Sequence, residues 1–508
     1  MEVNFGSNVT NCSIIFDING NYSISNRTMY IRGNKWNGIV YFPNGINQIC
    51  VNNSFILNKI IKMPNSVTNM VFAFENCRNF NQNIKIPDGV TNMRETFREC
   101  RSLNQNIQIP NSVTNMCETF NICYNLNQNI KIPNGVTNMA SAFNQCRSLN
   151  QNIQIPDSVR NVFGIFNGCY NLNQNIKIPD GVDRTIYAFG GCHNLNQNIQ
   201  IPNSVTLMSY MFSECYNLNQ NIKIPNNVTD MLYTFESCYN LNQNIQIPNG
   251  VTNMYSTFYG CSNLNQAIKI SNSATNMVST FSGCYNLNQN IEIPNSVTNM
   301  VSTFFGCSNL NQNIQIPNSI TNMYSTFREC RNLNQNIQIP NNVVDMNSTF
   351  RECRSLNQNI QIPNSVTNMD GTFYNCYNLN QNIKISDKVT NMWSVFSNCH
   401  ALNQNMQIPN NIVNAWFAFM KCNLLSDITI GSNIGNNVFT GFLPPYNTHR
   451  RNIYTDSLSA TNLITTKIIH PVNANTQIST QILPTWTTID NGYYNALYNV
   501  YIYTNAIL

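Results

Sequence analysis

The chain has 508 residues, a formal net charge of +5 and only 10% charged residues, so Asn, Gln, Ser and Thr must provide its solubility. This weak and dispersed positive charge lacks the clustering that nucleic-acid binding requires, and we expect no nucleic-acid partner. No apolar run approaches the roughly 18 residues of a spanning helix, so we also expect no membrane span.

Residues 1–60 are predicted to form a β-rich N-terminal cap or attachment segment. The first eight residues include an acidic residue and no basic one, and no apolar stretch follows, so we expect no Sec signal peptide. Asn19-Gly20 between apolar runs predicts a hairpin, and strands are expected at 29–31 and 39–42. A repeat array needs its open end covered, which favours a cap, and a separate attachment domain is the alternative.

Residues 61–425 repeat with a period of 23 residues. Sixteen cysteines recur at this period from Cys77 to Cys422, and phenylalanine keeps the same period from Phe74 to Phe419. A fixed period of this length is typical of a solenoid in which each unit buries its apolar side against its neighbours. The sequence therefore predicts a repeat solenoid of about 16 coils.

Each coil is predicted to contain one short strand and one short helical segment. Ile107-Gln108-Ile109 alternates apolar and polar residues, which predicts a short parallel β-strand that ends at Pro110. Val113, Met116 and Phe120 follow at spacings of three and four residues. A short helical or 3₁₀ segment would bring these three side chains to one buried face.

The repeated cysteines and amides are predicted to be structural. Identical thiols on coils about 4.8 Å apart point in parallel and pair poorly, so we expect buried free thiols. No Cys-x-x-Cys spacing occurs and there are only four histidines, so neither a metal nor another cofactor is expected. The Asn-Gln-Asn tripeptide, from 81–83 to 403–405, is expected to hydrogen-bond from coil to coil.

The unit Val-Thr-Asn-Met-x-x-x-Phe-x-x-Cys-x-x-Leu, together with Ile-Pro-Asn-Ser-Val, resembles the BspA-like leucine-rich repeats. Such repeats are found in bacterial surface proteins, phage structural proteins and some protist proteins. The resemblance covers residues 61–425 and departs from the common form by an extra residue between Leu103 and Ile107. It implies a leucine-rich-repeat-like solenoid with a binding or adhesion function, and it indicates no particular ligand.

Residues 426–508 lose the period and are predicted to form a β-rich C-terminal domain or cap. Strands are expected at 465–469, 477–483 and 498–503, with a hairpin turn at 489–493. This segment is rich in aromatic residues and nearly uncharged, which suits an attachment surface or a homo-oligomer contact. A simple cap is the alternative.

Two rows of variable side chains are the candidate binding residues. The first follows the repeat cysteines with tyrosines, arginines and a histidine, which recognition surfaces favour, although a stripe that only shields neighbouring coils is the alternative. The second row places lysines between the isoleucines, where they alternate with glutamines. This alternation indicates duplication by pairs of coils, and the mildly basic row also suits a glycan or an acidic polymer. The first row comprises Arg101, Tyr124, Arg147, Tyr170, His193, Tyr216, Tyr239, Tyr285, Arg331, Arg354 and Tyr377, and the second Lys131, Lys177, Lys223 and Lys269.

No nucleophile motif, phosphate-binding loop or clustered histidine appears, so we expect no enzyme. The interpretation that follows is a recognition or adhesion protein of a virion, of the phage tail or fibre type, or of a cell surface. Its partner would be a host-cell receptor, a glycan or another structural protein. The alternatives are a cytoplasmic protein-interaction scaffold and a polysaccharide-degrading solenoid, which would need paired carboxylates on one face.

Overall fold

The computed structural model describes the backbone of residues 59–425 continuously, with side chains over 63–425 and 427–429. Elsewhere it describes the backbone of short strands only. The hairpin predicted at Asn19-Gly20 and the strand predicted at 465–469 lie outside the described residues. The chain divides into two compact units: unit 1 is residues 1–253 with 260–262, and unit 2 is residues 254–259 with 263–508.

Unit 1 begins with two small parallel sheets. One sheet has the order β1-β2-β4 and the other pairs β3 with β5. β2 and β3 coincide with the strands predicted at 29–31 and 39–42. The five strands are β1 Glu2–Asn4, β2 Thr28–Arg32, β3 Ile39–Tyr41, β4 Gln48–Cys50 and β5 Lys59–Lys62.

Unit 2 ends in a six-stranded mixed sheet with the order β6-β7-β8-β11-β10-β9. The pairs from β6 to β11 are parallel, whereas β10 runs antiparallel to both β11 and β9. The strands predicted at 477–483 and 498–503 correspond to β9 and β11. The six strands are β6 Met406–Ile408, β7 Asp427–Ile430, β8 Arg451–Thr455, β9 Ile478–Ile482, β10 Trp486–Asn491 and β11 Tyr498–Tyr503.

Within each unit, successive 23-residue coils are joined by backbone hydrogen bonds in register. The N–H of Met93 donates to the carbonyl of Asn115 at 2.9 Å, and the N–H of Phe97 donates to that of Thr119 at 2.8 Å. Between these donors, the N–H of Thr96 bonds back within its own coil to Met93 at 3.1 Å. Every second N–H in this stretch therefore bonds to the next coil, which supports the stack.

This alternation replaces the predicted helical or 3₁₀ segment with a run of linked turns, and residues 59–425 contain no helix. A helix would use each N–H within its own segment, whereas here half of the N–H groups bond across coils. The residues at the turns take positive φ, as at Glu95 with 54° and Glu99 with 58°. The predicted burial holds, because Val113, Met116 and Phe120 are all fully buried.

The isoleucine step, which is the Ile-x-Ile stretch of each coil, shows the predicted alternation of buried and exposed residues. Regular strand pairing occurs only at the two ends of the repeat, where β5 pairs with β3 and Met406–Ile408 pairs with β7, and among residues 63–405 one further bridge joins Lys177 to Gln200 in this step. The reason is local, because the N–H of Ile245 bonds to Gln243 of its own coil at 3.0 Å. That N–H is then no longer available for a strand ladder.

Within each unit, the core contains two ladders of side chains. Phenylalanine rings stack between coils, with ring centroids 5.6 Å apart for Phe97 and Phe120. The thiol of Cys123 donates to the carbonyl of Phe97 at 3.1 Å, and burial raises the pKa of this thiol. All sixteen repeat cysteines are buried and free, whereas Cys117 is half-buried. The prediction of buried free thiols is thus confirmed for the repeat.

The asparagine-rich stretch forms the predicted amide ladder. The backbone N–H of Asn104 donates to the side-chain oxygen of Asn81 at 2.9 Å, and the amide of Gln105 donates to the same oxygen at 3.1 Å. The arrangement returns in the next coil, where Asn127 and Gln128 both bond to Asn104. The Asn-Gln-Asn composition therefore satisfies backbone and side-chain polar groups along the stack.

Candidate recognition site

The residue after each repeat cysteine lies on the surface because of a tight turn around that cysteine. In one coil the N–H of Tyr239 donates to Ser237 at 2.9 Å, while Cys238 between them is buried. The N–H of Asn240 then bonds to the carbonyl of Tyr216 in the preceding coil at 3.1 Å. These bonds hold equivalent side chains in register, one above the next.

In unit 1 this register produces an unbroken stack of planar side chains, called here the aromatic row. Its rings and guanidinium groups lie at van der Waals or cation–π distances from one end to the other. The successive separations are 5.2, 4.2, 5.1, 4.2, 4.3 and 4.8 Å along Arg101, Tyr124, Arg147, Tyr170, His193, Tyr216 and Tyr239.

The stacking determines what the aromatic row presents to a partner. Because each inner group covers the faces of its neighbours, a ligand meets ring edges and phenol hydroxyls there. Tyr239 differs, since the next coil carries the small Ser262 and 44% of Tyr239 is exposed. Desolvation lowers the pKa of His193, although Glu214 opposes the shift, so this imidazole stays neutral at pH 7.

In unit 2 the predicted residues come together only in part. The guanidinium of Arg354 lies 5.3 Å from the ring of Tyr377, and His400 continues that stack at 5.1 Å. Arg331 lies 3.7 Å from Glu329, and Tyr285 is 56% exposed. The recognition residues predicted in this unit are therefore one short stack and two separate side chains.

The predicted lysines do not form a continuous strip. Each is exposed between buried isoleucines, and glutamine takes the same place in the intervening coils of the stretch that carries them. Lys177 is close to a carboxylate, with its Nζ 3.6 Å from Asp157. Lys269 shares a shallow surface depression with Glu292. The lysines of this row are Lys131, Lys177, Lys223 and Lys269.

A second row of tyrosines was not predicted from the sequence. Tyr187, Tyr210 and Tyr233 stack with ring centroids 4.4 and 4.7 Å apart, and Phe163 meets the edge of Tyr187 at 6.3 Å. All three tyrosines occupy turn positions with φ between 51° and 56°. Their common spacing of 23 residues, five positions before the cysteine, was the available signal.

The glutamates that precede repeat cysteines, beside the aromatic row and its counterpart in unit 2, differ in whether they form an ion pair with an arginine. In two coils the residue before the repeat cysteine is a glutamate that forms an ion pair. Glu99 lies 3.0 Å from Arg101, and Glu352 lies 2.9 Å from Arg354. Burial acts to raise the pKa of Glu352, but hydrogen bonds from Arg354 and Asn375 outweigh it and lower that pKa. As partly exposed ion pairs, they contribute at most about 1 kcal/mol each to stability.

Asp370 gives unit 2 a testable pH dependence. Burial raises the pKa of Asp370 from 3.8 to about 6, with Arg351 opposing and Asp345 adding to the shift. The folded chain therefore holds a proton between about pH 4 and pH 6 that the unfolded chain releases, so its stability falls as pH rises through this range.

We expect Asp370→Asn to remove this dependence, because an amide stays neutral at every pH. Chemical denaturation from pH 4 to pH 7 should show the variant gaining stability relative to the wild type as pH rises. A constant difference between the two proteins across this range would contradict the shifted pKa.

The described part of the chain contains no helix able to cross a bilayer and no group of three or more His, Cys, Asp or Glu side chains placed to hold a metal. The stacked coils and the repeat motif define a leucine-rich-repeat protein of the BspA type, whose model matches residues 163–287. The chain belongs to the family described as Mycoplasma protein of unknown function, DUF285. That family's model matches residues 57–154, 91–201, 248–337, 275–384 and 298–410.

Two solved structures are similar to the chain. A leucine-rich repeat protein from Bacteroides ovatus shares 29% identity over 63% of this chain and 77% of its own, with a TM-score of 0.47. A leucine rich cell surface protein from Faecalibacterium prausnitzii shares 24% identity over 59% of this chain and 87% of its own, with a TM-score of 0.41. No curated protein matches the chain.

Proposed function

We propose that this leucine-rich-repeat protein is a non-enzymatic recognition protein that binds a partner through the aromatic row. The observation that carries the proposal is the unbroken stack from Arg101 to Tyr239, held in register on a repeating backbone. Tyrosine and arginine dominate binding hot spots because they combine large contact area with hydrogen bonding. Side chains already stacked lose little rotamer freedom when a partner binds.

The chemistry of the row favours a protein partner over a glycan. A ligand that binds by stacking on rings needs an open ring face, and along the aromatic row these faces are covered except towards the Tyr239 end. Ring edges and phenol hydroxyls instead suit a mixed apolar and polar protein surface. We place this surface on the outside of a virion or a cell, with a receptor protein as partner.

The test is a pair of double variants of the full chain, measured for attachment to whichever cell type binds the wild type in a panel of intact cells. Tyr216→Ala with Tyr239→Ala should weaken attachment by about thirtyfold or more, since one hot-spot aromatic contributes about 2 kcal/mol. The melting temperature should change little, because these side chains lie on the surface.

The control variant is Lys223→Gln with Lys269→Gln, which changes the lysines instead of the row. Its attachment should stay within about twofold of the wild type. A salt-sensitive loss in the lysine variant, with unchanged attachment in the tyrosine variant, would show an electrostatic strip and contradict the proposal.

A further inference from the structure

The two tyrosine rows of unit 1 border a groove. Between them, each coil places the two residues that follow the buried phenylalanine. Gly190 and Ser213 are buried, whereas Gly191, Glu214, Glu236 and Ser237 are at least partly exposed, so the surface between the two rows is a strip of small residues and two glutamates. We call it the tyrosine groove, with walls Tyr187, Tyr210 and Tyr233 on one side and His193, Tyr216 and Tyr239 on the other, and a floor of Gly190, Gly191, Ser213, Glu214, Glu236 and Ser237.

The two glycines at one end of the floor lie close to neighbouring atoms. A Cβ added to Gly190 would lie 2.8 Å from the side-chain oxygen of Asn167 and 3.3 Å from the ring of Tyr187. Gly191 has a φ of 66°, and its added Cβ would lie 3.3 Å from the Cα of Gly168. A larger residue at Gly190 would therefore have to displace the Asn167 side chain, whereas Gly191 has the positive φ that Glu214 also adopts in the next coil, at 58°.

Two carboxylates give the groove a negative charge. Glu214 is exposed and Glu236 is half-buried, where it accepts a hydrogen bond from Ser213 at 2.9 Å. Desolvation, together with the neighbouring Glu214, raises the pKa of Glu236. Glu214 is hydrogen-bonded to the side chain of Tyr216, and among the described residues neither carboxylate forms an ion pair.

The basic residues of this part of unit 1 do not form ion pairs with the two glutamates. Between residues 163 and 253 they are Lys177, Arg184 and Lys223. Lys177 lies 3.6 Å from Asp157, and Arg184 lies 3.7 Å from Asp183. Lys223 lies in the isoleucine step, not in the groove. A complementary cation for Glu214 and Glu236 can therefore be supplied by a partner.

The chain itself shows which cation suits such a carboxylate. Glu99 and Glu352 occupy the same position of the repeat as Glu214, and each forms an ion pair with the arginine two residues later. That arginine also stacks against a tyrosine of the next coil. In the coil of Glu214 the corresponding residue is Tyr216, so the carboxylate has the aromatic neighbour but lacks the arginine.

We propose that the tyrosine groove binds an arginine side chain from an extended segment of a partner protein, with its guanidinium held by Glu214 and Glu236 beside Tyr216. A guanidinium fits better than an ammonium because it is planar, weakly hydrated and able to bond two carboxylate oxygens at once. This proposal rests on the recognition function proposed above and names the chemistry of the partner.

The experiment measures binding of a fluorescent acetyl-(Gly-Arg-Ser)₃-amide peptide to the full chain by anisotropy at low ionic strength. Matched peptides carry citrulline, which is uncharged and nearly isosteric, or lysine in place of arginine. The arginine peptide should bind at least about tenfold tighter than either matched peptide. Equal binding of the citrulline peptide would exclude a cation site, and equal binding of the lysine peptide would exclude guanidinium recognition.

Two isosteric variants test the residues. Glu214→Gln and Glu236→Gln should each weaken binding of the arginine peptide by about tenfold or more, with unchanged circular dichroism. Glu292→Gln removes an exposed carboxylate outside the groove and should leave binding unchanged. If both groove variants bind as the wild type does, or if Glu292→Gln loses as much, the assignment is overturned.

The outcomes also separate this proposal from the recognition function. If no arginine peptide binds while Tyr216→Ala with Tyr239→Ala still abolishes cell attachment, the tyrosine groove proposal fails and the aromatic row keeps its function. If the peptide binds through Glu214 while both tyrosine changes leave attachment intact, the proposed function fails and the cation site remains.

Discussion

Phe327→Ala is expected to lower the free energy of unfolding by about 3 to 5 kcal/mol, as found for large-to-small changes in well-packed cores. The ring of Phe327 is fully buried and stacks between Phe304 at 5.6 Å and Phe350 at 5.7 Å. Its removal leaves a cavity that both neighbouring coils line. Because repeat stability depends on contacts between neighbours, the loss should extend to the adjacent coils. Urea denaturation followed by circular dichroism measures it.

Phe305→Ala provides the matched control for this prediction. Phe305 is only half-buried, and its ring lies under the guanidinium of Arg328 at 5.3 Å on the surface. The same substitution there should cost about 1 kcal/mol or less. Equal losses at Phe305 and Phe327, or a loss below about 1 kcal/mol at Phe327, would show that the phenylalanine ladder is not the core.

Ser325→Pro is expected to destabilise unit 2 by about 3 kcal/mol or more. The N–H of Ser325 donates to the carbonyl of Asn347 in the next coil at 3.0 Å, and its φ is +53°. Proline has no N–H and holds φ near −65°, so it removes the bond and forces the turn to change. Thermal unfolding and urea denaturation should both show the loss.

Ser386→Pro is the control with the same incoming residue. Proline occupies the equivalent position in 14 of the 16 sequence repeats, and Ser386 is one of the two exceptions. Its carbonyl already accepts the N–H of Val389 at 3.0 Å, as proline carbonyls do in other coils. This change should be neutral or stabilise by about 0.4 to 1 kcal/mol. A large loss at Ser386 with none at Ser325 would contradict the pattern of bonds between coils.

The sequence predicts which side chains are buried better than it predicts the backbone that buries them. The spacings of Val113, Met116 and Phe120 identify one face correctly, but a helix and a run of turns both satisfy them. The choice between these is made by donors such as Met93, whose N–H bonds to the next coil. That partner lies 22 residues away, so local periodicity does not reveal it. The same limit explains the isoleucine step, where a strand-like pattern carries little strand pairing.

The candidate site was predicted as a row but not as a groove. The period alone places Tyr216 and Tyr239 on neighbouring coils, and the structure adds that their rings stack at 4.8 Å. The tyrosine groove also needs the second row of tyrosines and the two glutamates Glu214 and Glu236, which form no ion pair among the described residues, and this is visible only in three dimensions. The tyrosine groove could therefore not be derived from the residue types in one row.

Thiol labelling of the native protein tests the central claim most directly, which is that a stacked repeat core supports the exposed rows. The sixteen repeat cysteines are buried, and burial raises the pKa of thiols such as Cys123 and Cys307, so little reactive thiolate forms. With a maleimide reagent and mass spectrometry, we expect the native chain to take up label on at most Cys12, Cys50 and Cys117, and the denatured chain on all nineteen cysteines. Rapid labelling of most repeat cysteines in the native protein would contradict the account.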